Sequence, residues 1–157
     1  MSQHVVIKQD VSPGGSQFVT VRIGPQLFGL PIEAVQEVFV PDHVTHVPLC
    51  IPQIEGVLNL RGRIVTMVNM RRLLGLPDGG EASMAVGIEH KGESYGLIID
   101  SMGEVMMLDH AACEANPTNL DPQWAGLTVG VHRLPGELLL VLDVELALAR
   151  LTTDRAA

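Results

Sequence analysis

Aromatic residues are scarce in this chain: they make up 3 % of it, as one Trp, one Tyr and three Phe. So few rings exclude a stacking platform for bases or sugars. They also leave the core to Val, Leu, Ile and Met. Positive charge is scarce too, with ten Lys and Arg against eighteen Asp and Glu, a net charge of −8. At an isoelectric point near 5.1, extended tracking of a phosphate backbone would meet net repulsion. The only two cysteines, Cys50 and Cys113, form no CxxC pair and are expected as free thiols in a reducing compartment. The longest purely aliphatic run, Leu138 to Leu142, is five residues, far short of a bilayer span. The start, MSQHVVIKQD, has no apolar stretch of the kind a secretory leader needs.

Catalytic signatures are missing as well. No GxSxG, Walker or GxGxxG pattern occurs. His43, His46 and Cys50 form H-x-x-H-x-x-x-C, but a structural zinc needs four compact ligands and no second pair lies near. They are read as an exposed loop. Glu33 and Glu37, four apart in EAVQEV, a short turn or helix, are read as facing water rather than as an acid–base pair. No catalytic residue, cofactor or metal is therefore expected. A small barrel enzyme or ligand-binding protein stays as the remote alternative.

What the chain has is turns. Sixteen Gly and ten Pro in 157 residues punctuate many short strands. Residues 1–16 read as a flexible arm ending in SPGGS. FVTVRI (18–23) alternates, with Val19, Val21 and Ile23 to one side and Thr20 and Arg22 to the other. GRIVTMV (62–68) reads as a strand buried on both faces, Ile64 and Val68 against Val65 and Met67. Asn69 is placed to cap a short helix, MRRLL, and Asp143 to cap VELALARL, whose Val144, Leu148 and Leu151 share one side. PDGGEAS (77–83) is the best boundary, and residues 151–157 read as a tail.

The pattern then restarts. FGLPIEAVQEV (28–38) matches YGLIIDSMGEV (95–105), and GRIVTMVNMRRLL (62–74) matches GELLLVLDVELAL (136–148). Two similar halves are implied, subdomain 1 over about 17–77 and subdomain 2 over about 84–150, with room for the chain to cross between them near the ends. Closing each half's strands into a small barrel is the simplest way to hide sheet edges. The expectation is mainly β: two five-stranded, SH3-like barrels related by internal repeat, with short helices near the junction and at the C-terminus. A β-sandwich satisfies the same patterns.

Arg61, Arg63, Arg71 and Arg72, four of the ten basic residues, fall within GVLNLRGRIVTMVNMRRLLGLP (56–77). Its echo at 136–148 has Glu137 and Glu145 in place of Arg63 and Arg71. Gly56 and Gly62 frame the extended VLNLR, and Arg61 is positioned to pair with a carboxylate such as Glu37. Arg61 is thus either a structural ion pair or part of a docking face. Arg71 and Arg72 are expected to decorate the exposed side of their helix.

This stretch resembles the hallmark of CheW-like domains, roughly GVxNLRGxIxPVxDLRxxFGL. YGLIIDSMGEVMML is similar to that family's GLxVDxVxEVxxL, and LLLVLDVELAL to its terminal strand and helix. The likeness runs from about residue 17 to 150. Two departures stand out: Thr66 takes the place of the usual Pro, and Asn69-Met70-Arg71 that of DLR. The resemblance implies two five-stranded β-barrel subdomains and a non-enzymatic adaptor coupling transmembrane chemoreceptors to the histidine kinase CheA. It implies cytoplasmic location, recruitment to receptor arrays through partners, and a monomer when free. Its implied partners are the kinase's CheW-like regulatory domain and the receptors' cytoplasmic hairpin tip, with neither nucleic acid nor membrane insertion. The implied docking residues are Val35, Glu37, Val38, Gly56, Asn59, Arg61, Gly62 and Arg63. An adaptor of a different chemosensory-type pathway, such as twitching motility, has the same signature.

Overall fold

The computed structural model describes residues 15–48, 51–79 and 84–156, with side chains as far as residue 151. Most of the N-terminal arm, Cys50 and the end of the PDGGEAS stretch lie outside the described residues. The strands are β1 (Gly15–Ile23), β2 (Gln26–Pro31), β3 (Glu37–Phe39), β4 (Ile54–Leu60), β5 (Arg63–Asn69), β6 (Met84–His90), β7 (Glu93–Ile99), β8 (Ser101–Asp109), β9 (Thr128–Leu134) and β10 (Glu137–Leu142). The helices are α1 (Met70–Leu73), α2 (Pro122–Ala125) and α3 (Val144–Ala156). The mainly β expectation holds, and α3 runs further than the apolar pattern alone suggests.

Two five-stranded sheets result, ordered β8-β1-β2-β10-β9 and β3-β6-β7-β5-β4. They do not coincide with the sequence halves 17–77 and 84–150. The first half lends β1 and β2 to the first sheet, and the second half lends β6 and β7 to the second. Replace each strand by its repeat mate and one order becomes the other, so the exchange is reciprocal. It is sealed by two parallel pairings, β10 with β2 and β5 with β7. The chain crosses between sheets at the 3-10 turn Ile32–Ala34 and again at Asp100, whereas the linker after α1 begins and ends in the second sheet. Strand periodicity names faces but not neighbours, so this exchange is invisible to it.

Alternation explains the packing. Along β10, Leu140 and Leu142 enter a core shared by both sheets, while Leu139 and Val141 enter a smaller cluster with Phe18, Leu27 and Leu108. On β5, Val68 joins the shared core, and Val65 and Met67 join a third cluster with Leu58 and Ala85. Each sheet is therefore apolar on both faces. One exception corrects the reading of β5: Ile64 is 62 % exposed. It lies opposite Asn59, next to the hairpin tip. The segment EAVQEV, readable as a short turn or a helix, takes the turn. Glu33 sits in the 3-10 turn and Glu37 begins β3, so the two carboxylates do not share a helical face.

Both caps form as read. Asn69 Oδ1 accepts from Arg72 N–H at 3.1 Å, and Asp143 Oδ1 from Leu146 N–H at 3.0 Å. Behind them Met70, Leu73, Leu148 and Leu151 are buried in the shared core. The last carbonyls of α1 are met from the other sheet's side. Leu73 O accepts from Gln123 Nε2 and Leu74 O from Trp124 Nε1, each at 2.7 Å. These bonds satisfy carbonyls that a helix end otherwise leaves orphaned.

Candidate docking surface

The Arg-Gly pair joins β4 to β5 as a two-residue turn, Arg61 at φ 53° and Gly62 at φ 84°. Two positive φ values define a type I′ turn, whose twist suits a hairpin. Gly62 takes this conformation freely, but Arg61 does so at a cost of roughly 1–2 kcal/mol. Asn59 Oδ1 helps hold the turn by accepting from Gly62 N–H at 2.9 Å. Arg61 Nη2 then donates to Glu37 Oε1. β4 and β3 stand at opposite ends of the sheet order, so this ion pair joins the two edge strands. An isolated bridge between Thr45 and Val57 brings the segment after β3 onto β4 a second time. The arginine side chain is 69 % exposed and the glutamate 30 %, so the pair lies at the surface, not inside the sheet's core.

Arg63 is exposed, and among the described residues it makes no ion pair. The parallel register Val65↔Ser94 sets the Lys91-Gly92 turn at the same end of the sheet as Arg61-Gly62. Lys91 repeats the conformation, with φ 52°, and is also exposed. Lys91 was not among the expected site residues. The basic-residue-then-glycine pattern that HKGE shares with LRGR is the sequence signal that could have found it.

The expected residues thus divide. Glu37, Asn59, Arg61, Gly62 and Arg63 gather at one end of the second sheet. Val38 lies on β3 opposite Val86, and Val35 packs against the shared core. Gly56 serves the fold. Its φ is 155°, and a Cβ there would lie 2.1 Å from the Thr45 carbonyl oxygen.

Arg71 and Arg72 are not solvated decoration. They line a cleft of about 510 Å³ with Glu55, Asn69, Asp78 and Asp100, walled by Pro41, Val44 and Ile98. Arg71 grips Asp100 with two donors, Nε to Oδ1 at 3.0 Å and Nη2 to Oδ2 at 2.6 Å. Gly24 N–H donates to the same Oδ2 at 2.9 Å. Asp100 therefore ties α1, beside the second sheet, to the β1–β2 turn of the first. The Arg71 hydrogen bonds hold its carboxyl below the ordinary carboxylate range, against some desolvation and with help from Gly24 N–H. Arg72 makes a similar fork to Asp78, at 3.0 and 3.1 Å. That bond lowers the Asp78 carboxyl in turn. Asp100 lies 29 residues from Arg71 and Asp78 just past the end of α1, so neither partner falls within the helical periodicity that suggests a solvated side.

A hairpin tip, an ion pair between edge strands and two cations without an ion pair among the described residues thus share one end of the second sheet. The chain belongs to the CheW-like domain family, whose model matches residues 17–152. A chemotaxis protein CheW of Treponema pallidum is 28 % identical over 82 % of this chain and 79 % of its own length. A protein of the same description from Thermotoga maritima is 23 % identical over 87 % of this chain and 89 % of its own. The crystal structure of the scaffolding protein TtCheW from Thermoanaerobacter tengcongensis superposes with a TM-score of 0.73 at 26 % identity, covering 82 % of this chain and 88 % of that one.

Proposed function

We propose that this protein is a non-enzymatic scaffold that couples chemoreceptors to the histidine kinase CheA in a bacterial chemosensory array. The observation that carries the reading is the Arg61–Glu37 pair, set by a type I′ turn beside the unpaired Arg63. It presents oriented charge on an otherwise acidic chain, which favours a defined approach of an acidic partner face more than raw affinity. Relatives described as chemotaxis proteins, and one as a scaffold, support the same assignment. The partners are the kinase's CheW-like regulatory domain and the receptor's cytoplasmic hairpin tip. The docking residues are Glu37, Val38, Asn59, Arg61 and Arg63, with Val35, Gly56 and Gly62 shaping the backbone around them. The free protein is a cytoplasmic monomer that reaches the membrane through those partners, with multivalency strengthening modest single contacts. Titration calorimetry against the kinase's regulatory domain and the receptor tip, both from the same genome, tests this. Saturable binding to the kinase domain is expected; binding to neither of the two by the folded protein would overturn the proposal.

A further inference from the structure

His110 and His132 are far apart in sequence and show no shared motif, yet the fold brings their charges within reach of each other. His132 lies on β9 directly opposite Leu139 and is only 4 % exposed. Its ring stands 6.1 Å from that of Phe18, tilted by 53°. Leu134, on the same face of β9, packs into the first sheet's private cluster of Phe18, Leu27, Leu108, Leu139 and Val141. His132 thus packs against an apolar cluster, and among the described residues its ring makes no hydrogen bond, its nitrogens keeping only a margin of solvent contact. The 3-10 turn His110–Ala112 follows β8. There His110 Nε2 lies 2.6 Å from Ser16 Oγ at the start of β1. Glu114 then bridges back to Val131 on β9. One short segment therefore links the ends of β8 and β1 to β9, the strand that carries His132.

We propose that this rim of the first sheet is an acid-sensitive latch: neutral His132 holds it closed, and protonation of His132 opens it. The charges facing the ring decide the direction. His110 on the turn repels an imidazolium, while Asp109 at the end of β8 attracts one more weakly. Farther along the same face of the sheet, at the surface, Arg22 of β1 and Glu137 of β10 neutralise each other at 3.2 Å. Glu104 of β8 faces solvent, and Arg133 on the outer face of β9 is taken by Glu114 at 2.8 Å. Burial and the His110 charge thus hold the His132 imidazole below the usual histidine range. The open rim exposes the ring to water, so it takes up a proton that the closed rim refuses. Opening is therefore favoured as pH falls through the ordinary histidine range, by up to about tenfold per pH unit for one proton. The second sheet, which carries the docking edge, has no part in this linkage.

The test combines histidine NMR titration with hydrogen exchange of the full chain at about pH 7.5 and about pH 5.5, corrected for intrinsic exchange. The His132 ring should titrate below free histidine. Amides at the start of β1, the end of β8 and in β9 should lose protection in acid, while β4 to β7 keep theirs. His132→Leu should abolish the acid loss. His110→Gln removes the repelling charge and leaves His132 in place, so it should raise the His132 titration point and shrink the loss. A His132 that titrates at or above free histidine, or a uniform loss of protection across both sheets, would overturn the proposal. Both readings come from the unmodified protein, so they stand even if His132→Leu does not fold.

Discussion

Arg61 does two things at once, and they oppose each other energetically. Its left-handed backbone costs roughly 1–2 kcal/mol, while an exposed ion pair of this kind returns about 0–1 kcal/mol. Arg61→Gly relieves the first and removes the second, so thermal melting should move little or slightly upward. Kinase binding should weaken by tenfold or more, about 1.4 kcal/mol, if the guanidinium is a contact; unchanged affinity in a folded variant would assign it to the turn alone. Gly56 gives the contrasting case. Its missing Cβ would collide with the Thr45 carbonyl, and the collision is with backbone. Gly56→Ala should cost about 2–4 kcal/mol in urea unfolding, with any binding defect following from the damaged fold. A variant of unchanged stability would show that the 45–57 bridge can slide.

At the scale of elements, the Asp100 clasp joins what the crossing chain has just separated. Asp100 receives two bonds from Arg71 and one from Gly24, and its side chain is 33 % exposed. Discounted for that exposure, Asp100→Ala should cost about 1–3 kcal/mol near neutral pH. The sign with pH follows from the lowered carboxyl. Its stabilisation is present above the unfolded value of 3.8 and fades as pH falls through the lower folded value. Denaturant curves of parent and variant should therefore converge in acid. A gap that stays constant down to about pH 2 would assign the effect to packing rather than to the carboxylate. The capping of α1 by Gln123 and Trp124 is the uncharged counterpart, linking the same two layers without pH dependence.

At the scale of the molecule, exchanged strands and a shared core should make the two sheets unfold as one unit. The shared core takes Val21 and Phe28 from the first sheet, Val86 and Leu97 from the second, and Leu148 from α3. Near neutral pH, the single Trp, Trp124, packs on Phe28 with ring centroids 5.9 Å apart and should report the same transition as far-UV circular dichroism. Leu97→Ala, a truncation of a side chain 1 % exposed, should lower both signals together by about 2–5 kcal/mol. Two resolved transitions would mean that the sheets fold separately.

Much of this is legible in the residues. Alternation and turn chemistry locate β1 and β5, the repeat of GRIVTMV extends this to β10, the cap residues place α1 and α3, and the internal repeat announces two matching units. Arg61 and Glu37 stand out as a pair from their residue types and setting alone. β8 is harder to see, because most of its residues are exposed and it shows no clean alternation. By itself, the sequence determined what depends on near neighbours along the chain: strand faces, helix starts, tight turns and an aliphatic core. Only the tertiary structure decided which strands are neighbours, that Arg71 meets Asp100, and that His132 is buried against Phe18. Those contacts join residues distant along the chain, and local periodicity carries no record of which distant surface a given face will meet.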